Sequence, residues 1–254
     1  MTAVQGRVAI VTGGGTGVGA ATSKWFAARG WKVLVNYSRS QAEADAVARD
    51  CGEDRAFAFK GDVASDADCV AMADAAMKRW GRIDALVNNA GRTQFVQLTD
   101  LDALKAEDFH RIYDVNVIGA FQMARAAARH MGEGSAIVNV SSISTATGQG
   151  SSIPYVSSKG ALNALTVTLA RALSPKVRVN AVLPGFIESR WLREGYGDAT
   201  YEKAKANYVN SVALGRVCTP QEIADAIGFL IEGATLTTGQ LLTLDAGLVM
   251  GRRR

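Results

Sequence analysis

The chain has 254 residues, of which 48% are apolar and 20% charged, the make-up of a soluble globular protein long enough for one large α/β domain. Its net charge is +4, but three positive charges are the terminal Arg252, Arg253 and Arg254; without them the balance is near neutral, which leaves no electrostatic footprint for nucleic acid. Widely spaced Cys51, Cys69 and Cys218, isolated His110 and His130, and the absence of any run of about 18 apolar residues argue against a disulfide framework, a metal site and a membrane-spanning helix, and fit a reducing cytoplasm.

The first element is Val8-Ala9-Ile10-Val11, wholly apolar, as a strand buried on both faces of a parallel sheet must be. It leads straight into Thr12-Gly13-Gly14-Gly15-Thr16-Gly17-Val18-Gly19, so no leader peptide is expected before it. Residues 20–29 then read as a helix closed by Gly30. Strand, glycine loop and helix form the context a dinucleotide site requires: glycines let the backbone approach a pyrophosphate, and the helix N-terminus offers free N–H groups. Gly15-x-Gly17-x-x-Ala20 satisfies the general fingerprint, and Gly13-x-x-x-Gly17-x-Gly19 is a second spacing in the same loop. No Gly-Lys-Ser/Thr follows, which excludes a Walker-type loop.

The second strand, residues 31–36, ends in Asn36-Tyr37-Ser38-Arg39-Ser40. An acid at this point would bind the ribose 2′-hydroxyl of NAD, whereas an arginine suits a 2′-phosphate. No acid occurs before Glu43, so Arg39 points to NADP(H), with NAD(H) the alternative should Arg39 only face solvent. A polar helix (41–49), a strand (56–60) leading to Gly61-Asp62-Val63, an amphipathic helix (66–80) and a strand (83–87) before Asn88-Asn89-Ala90-Gly91 follow. Residues 100–130 carry a long helical pattern, broken near Asp108, with Asn116 inside it. A strand over 135–140 ends at Ser141-Ser142.

Tyr155 and Lys159 come next, four residues apart at the start of a helical run that continues to Leu173. That spacing puts phenol and ammonium on one helix face. A free tyrosine has a pKa of about 10, and a nearby positive charge lowers it, so the pair can serve as a proton-transfer device. A sixth strand (177–182) closes at Leu183-Pro184-Gly185, residues 186–212 are weakly patterned, 220–231 read as a helix with Pro220 in its first turn, and 241–245 form a seventh strand. Strands alternate with helices from end to end, with no linker and no repeat. The prediction is a single domain over 1–254, a doubly wound parallel seven-stranded sheet of Rossmann-type three-layer α/β/α architecture, with 251–254 a flexible tail. Ligands bind such sheets at the carboxyl ends of the strands, where Thr12, Asn88 and Ser142 lie and where Ser142 and Tyr155 would face each other.

The segments Thr12-Gly13-x-x-x-Gly17-x-Gly19, Asn88-Asn89-Ala90-Gly91, Asn116, Ser142, Tyr155-x-x-x-Lys159 and Pro184-Gly185 stand in the order and spacing of the short-chain dehydrogenases/reductases. The chain resembles that family from Gly6 to about Val249, and within it the 3-oxoacyl-(acyl-carrier-protein) reductase-like branch. The resemblance implies Tyr155 as acid–base, Lys159 lowering its pKa and binding the nicotinamide ribose, Ser142 holding the substrate oxygen, and Asn116 binding a water that resupplies protons. It implies cofactor contacts from Gly13, Thr16, Gly17, Val18, Gly19, Arg39, Asp62, Val63, Asn89, Gly91, Tyr155, Lys159, Pro184, Gly185, Ile187 and Ser189, where the family often has threonine in place of Ser189. Residues 186–212 would form a lid, with Phe186, Trp191 and Tyr196 lining the substrate pocket beside Ser142 and Tyr155. Expected, then, is a homotetrameric oxidoreductase moving a hydride between NADP(H) and a small-molecule or acyl-thioester carbonyl. Arg125, Arg129 and Arg171 could meet an acidic carrier protein. Thr93, Gln94 and Gln149 make the cleft polar enough for a sugar, polyol or small ketone, so an NAD-linked sugar or alcohol dehydrogenase is the alternative enzyme. A nucleotide-binding sensor or scaffold is the non-enzymatic one; the presence of both Tyr155 and Lys159 argues against it.

Overall fold

The computed structural model describes residues 6–251, so Arg252–Arg254, most of the expected tail, lie outside it. In chain order the elements are β1 (Val8–Val11), α1 (Gly17–Ala28), β2 (Lys32–Tyr37), α2 (Gln41–Cys51), β3 (Ala56–Lys60), α3 (Asp66–Trp80), β4 (Ile83–Asn88), α4 (Ala106–Tyr113), α5 (Ala120–Ala128), β5 (Met131–Val140), α6 (Ser144–Thr147), α7 (Ile153–Leu173), β6 (Val177–Pro184), α8 (Arg190–Tyr196), α9 (Asp198–Ser211), α10 (Pro220–Gly228) and β7 (Leu241–Leu244). π-Helical turns continue two of the helices: Asp114–Gly119 joins α4 to α5, and Phe229–Gly233 extends α10.

The seven strands form one sheet in the order β3-β2-β1-β4-β5-β6-β7, and every neighbouring pair is parallel. The connection therefore reverses direction between β1 and β4, the place where an open parallel sheet leaves a crevice at its carboxyl edge. Alternation along each strand divides the core. Ala9, Val11, Val33, Val35, Val87 and Val138 face α1, α2 and α10, while Val8, Ile10, Leu34, Leu86, Ile137 and Val179 face α3, α5 and α7. All four residues of β1 are fully buried, as its unbroken apolar run requires.

The expected seven-stranded, doubly wound architecture is the observed one, with adjustments at the edges. β5 starts four residues earlier than its apolar run, at Met131, which pairs with Ile83 ahead of a register shift. The helical pattern over 100–130 begins only at Ala106. Asp108 does not break it but starts it: its carboxylate accepts the Lys105 N–H at 2.9 Å. Residues 190–211 are two helices separated by Gly197 at φ +76°. Their pattern is weak because they bury almost nothing: α8 has no buried residue, and α9 has only Tyr201. Among the described residues no helix is long and apolar enough to cross a membrane, and no group of three His, Cys, Asp or Glu could hold a metal ion.

Candidate active site

A cleft of about 970 Å³ runs along the carboxyl edge of the sheet, over β1, β4 and β5, and under α8. Its floor is the glycine loop. Thr12 follows β1 and locks this loop to the end of β4: its Oγ1 accepts the N–H groups of Asn89 and Ala90, both at 3.0 Å, and Asn89 Nδ2 donates to the carbonyls of Thr12 and Gly13. Gly13 (φ +60°) and Gly17 (φ +51°) take left-handed backbone that a side chain would strain. A Cβ on Gly17 would meet nothing within 4 Å, so there the loop is open to the cleft. A Cβ on Gly19 would collide with the Gly13 carbonyl, so Gly19 serves the packing of α1 against its own loop. The bare loop and the N-terminus of α1 together form a cradle of the size and polarity that a pyrophosphate needs.

At the β2 end of the cleft, Asn36 stands at the strand's end, and it is committed to structure. Its Oδ1 accepts the Gly13 N–H at 3.1 Å and its Nδ2 donates to Gly61 O at 2.9 Å, tying β1, β2 and β3 together. Arg39 is exposed, lines the cleft, and has no ion-pair partner among the described residues. Asp62 and Val63 line the opposite wall, with Asp62 Oδ1 accepting the Ala64 N–H.

At the other end, β5 delivers Ser142 and α7 delivers Tyr155. α7 starts where it does because Ser152 caps it, its Oγ accepting the Tyr155 N–H, with Pro154 in the first turn. The Ser142 loop is held to α7 by Ser141 Oγ, which donates to Asn163 Oδ1 at 2.6 Å. Ser142 Oγ accepts the Ser144 N–H at 3.1 Å, which leaves its own proton free to donate. Burial pushes the Tyr155 phenol up to about 12, against a smaller downward pull from the Ser142 hydroxyl. Lys159 is 4% exposed, and burial pushes its ammonium down to about 8. Its Nζ lies 5.7 Å from the Tyr155 ring centre and donates to Val140 O at 2.8 Å. The expected lowering of the phenol by Lys159 is thus absent from this state: the ammonium is bonded to a carbonyl, and desolvation dominates both groups.

Asn116 sits in the π-helical turn, 1% exposed, behind the cleft wall. Both of its amide donors are used, on Arg92 O at 3.0 Å and Ser158 Oγ at 2.9 Å, and its Oδ1 accepts the Arg92 N–H. A water at Asn116 would therefore have to donate to Oδ1 or to the backbone carbonyl.

Comparison with known proteins decides what this arrangement belongs to. A family profile described as Enoyl-(Acyl carrier protein) reductase matches residues 13–249. An oxidoreductase from Methylorubrum extorquens is 37% identical over 98% of this chain and 100% of its own. A 3-oxoacyl-[acyl-carrier-protein] reductase from Synechocystis is 34% identical over 98% of this chain and 100% of its own. A crystal structure of a short-chain dehydrogenase/reductase from Brucella melitensis, titled a glucose/ribitol dehydrogenase, superposes with a TM-score of 0.88 at 30% identity, covering 96% of this chain and 97% of that one. The chain belongs to the short-chain dehydrogenase/reductase family. It is an oxidoreductase of the kind that acts on CH–OH groups with a nicotinamide dinucleotide.

In this short-chain dehydrogenase/reductase nearly every residue singled out in the sequence lines the one cleft. Gly13, Thr16, Gly17, Val18, Arg39, Asp62, Val63, Asn89, Gly91, Ser142, Tyr155, Lys159, Pro184, Gly185, Ile187 and Ser189 all do, and so do Phe186, Trp191 and Tyr196. Gly19, Asn116, Thr93 and Gln94 do not: Gly19 and Asn116 stand behind the wall, and Thr93 and Gln94, expected to make the cleft polar, are not part of its lining, Gln94 facing a separate hollow beside Arg111. Ser189 is the N-cap of α8, its Oγ accepting the Leu192 N–H, which leaves its own proton free to donate. The aromatic groups separate into two sets. Trp191 packs on Tyr155 and on Phe95, both with ring centres 6.1 Å apart, and Phe95 packs on Tyr196 at 4.9 Å. Phe186 turns away onto Tyr201 and Tyr208, forming the base of α9. Phe95 is the member that sequence reasoning missed, because a phenylalanine reads by default as core rather than as part of a site.

Proposed function

We propose that the protein is an NADP(H)-dependent oxidoreductase that interconverts a carbonyl and a secondary alcohol, with Tyr155 as the acid–base residue. The observation that carries this reading is that Ser142, Tyr155 and Lys159 line the same cleft as the glycine loop, with the Lys159 ammonium 5.7 Å from the Tyr155 ring centre. The dinucleotide, when bound, supplies or accepts the hydride. The chain's own groups handle the oxygen. Ser142, oriented by the Ser144 N–H, donates to the substrate oxygen, and Tyr155 exchanges a proton with it. Lys159, buried and close to titration at neutral pH, places positive charge behind the phenol. Asn116 holds the Arg92 loop against α7 and completes the wall on which Lys159 rests.

Arg39 supports NADP(H): it is the exposed guanidinium just after β2, and no acid lies between β2 and α2. Titration with NADPH and NADH, followed by nicotinamide fluorescence, tests this. Arg39→Asp is expected to abolish the preference for NADPH, and an unchanged preference would overturn the assignment. Tyr155→Phe is expected to abolish turnover while leaving cofactor affinity intact; retained turnover would refute the mechanism.

The Synechocystis relative favours an acyl-thioester carbonyl as substrate. A second reading, a sugar or polyol, is favoured by Ser151 and Gln149 on the cleft wall. We further propose that 186–212 act as the substrate lid of a single cytoplasmic catalytic unit. A homotetramer would cover the exposed Ile118, Phe121 and Val167 on one side and Phe229, Leu241 and Met250 on the other. Sedimentation of the purified protein tests the assembly.

A further inference from the structure

The first residue of α8, Arg190, does not stay on its own side of the cleft. Its Nη1 and Nη2 each donate to Glu43 Oε1 at 3.3 Å, a contact between residues 147 apart in sequence. Its Nε lies 3.3 Å from Glu194 Oε1, one turn further along α8. Glu43 belongs to the first turn of α2, three residues after Ser40. Its carboxyl is held below the usual range by its own backbone N–H and by Arg190.

The position of Glu43 gives this pair its meaning. The first turn of α2 is pressed against the glycine loop: a Cβ on Gly15 would stand 2.9 Å from the backbone N and Cα of Ala44. Glu43 is therefore on the bank next to the phosphate cradle, beside Ser38, Arg39 and Ser40 of the cleft wall. α8 is on the opposite bank, where Trp191 packs over Tyr155. The ion pair spans the gap between them. α8 buries no residue; Arg193 ties it to α9 through Asp198 and Glu202, and across the cleft it is held by this pair and by the aromatic contacts of Trp191 and Tyr196.

We propose that Arg190 and Glu43 form a clasp over the dinucleotide cleft, which must open for the cofactor to enter or leave and so sets the rate of cofactor exchange. This rests on the dinucleotide-dependent function proposed above. Arg190 is then a positioning residue: it holds α8 down over the bound cofactor and plays no part in the chemistry. An exposed ion pair contributes little, so the expected acceleration of release on breaking it is about two- to fivefold.

The test is stopped-flow displacement of NADPH by excess NADP, read by nicotinamide fluorescence, together with hydrogen exchange of residues 190–196 in the cofactor-free protein. Arg190→Ala and Glu43→Gln are each expected to speed release to a similar extent. The double variant should be no faster than either single variant, and the charge exchange Arg190→Glu with Glu43→Arg should restore slow release. Both single variants should also exchange faster over 190–196 without cofactor, which reads the ion pair independently of any binding. If Glu43→Gln instead slows release, Arg190 is a phosphate ligand that Glu43 competes for, and the clasp is refuted. Effects that multiply in the double variant, or release unchanged in both, refute it as well. A protein that binds no dinucleotide would overturn the proposed function and the gate with it, while the exchange result would still show whether the ion pair holds α8.

Discussion

Replacing Lys159 by methionine should make this protein more stable while abolishing its turnover. Burial holds the Lys159 ammonium at about 8 in the folded chain, against an ordinary 10.5. A lysine lowered in this way loses its proton earlier in the folded state than in the unfolded one. Between those two values the unfolded chain binds more protons, so stability rises with pH. Below about pH 8 both states carry the charge, and the folded one bears the full cost of burying it, about 3 kcal/mol from that difference. Methionine has nearly the same length and no charge. Its introduction also leaves the Val140 carbonyl without the bond it now receives at 2.8 Å, a loss of about 1 kcal/mol. The net gain is about 2 kcal/mol at pH 7, or about 4–8 °C in Tm for a chain of this size. Thermal unfolding of both proteins without cofactor at pH 7 and pH 9.5 is the assay. The advantage of Lys159→Met should be largest at pH 7 and shrink by pH 9.5, as the wild-type lysine discharges. Tyr155, pushed up to about 12, lowers stability only above about pH 10 and does not intrude. A variant melting at or below wild type at pH 7, or an advantage that does not change with pH, would refute the reasoning.

Three further outcomes follow from the geometry. Gly19→Ala drives a Cβ into the Gly13 carbonyl, a backbone atom that cannot move without opening the loop; the expected result is loss of dinucleotide binding with a destabilisation of about 1–3 kcal/mol, measured by fluorescence titration and thermal unfolding. Trp191→Ala removes a half-exposed ring that covers Tyr155, so it should raise KM for the carbonyl substrate while leaving NADPH affinity and Tm nearly unchanged; a matching loss of NADPH affinity would assign Trp191 to the cofactor instead. Ser144→Ala deletes a buried hydroxyl that has no hydrogen-bond partner, and should raise stability by about 1 kcal/mol, whereas Ser142→Ala, which removes the acceptor of the Ser144 N–H, should not.

The sheet was legible because burial on both faces leaves an unmistakable sequence: Val8-Ala9-Ile10-Val11 and its counterparts read as strands with no help from neighbours. The site was legible because its residues follow those strands directly: strand ends put Thr12, Asn88 and Ser142 on one rim, and Ser142 does line the cleft, but Asn88 is buried against Asn139 and its neighbour Asn89 lines the cleft instead. What was not legible depends on contacts between distant segments. Gly19 looked like a cofactor contact because glycine is silent about whether it faces a ligand or a neighbouring carbonyl. The upward shift of the phenol was not legible from Tyr155-x-x-x-Lys159, because helix spacing gives the face two side chains share but not the depth at which they sit. The helices over 190–211 were invisible because periodicity records burial, and these helices lie on the surface of the cleft.

Placing Tyr155 and Lys159 accurately demands more of α7 than an apolar stripe can give, since apolar packing tolerates sliding and rotation. The structure meets that demand with a buried polar chain. Asn88 Nδ2 donates to Asn139 Oδ1 at 2.9 Å, Asn139 Nδ2 to Thr166 Oγ1 at 2.8 Å, and Thr166 Oγ1 to Leu162 O at 2.8 Å. The chain runs from β4 through β5 into α7, about two turns beyond Lys159, and Asn88, Asn139 and Thr166 are all almost fully buried. Hydrogen bonds are directional, and a buried group left unpaired costs more than its bond gives, so any other register of α7 is penalised. Asn139 is the central link: it accepts from one strand and donates to the helix. The face of α7 that carries Tyr155 and Lys159 is thus fixed by the same strands whose ends form the rim, and the proposed proton-transfer pair and the cleft share one frame.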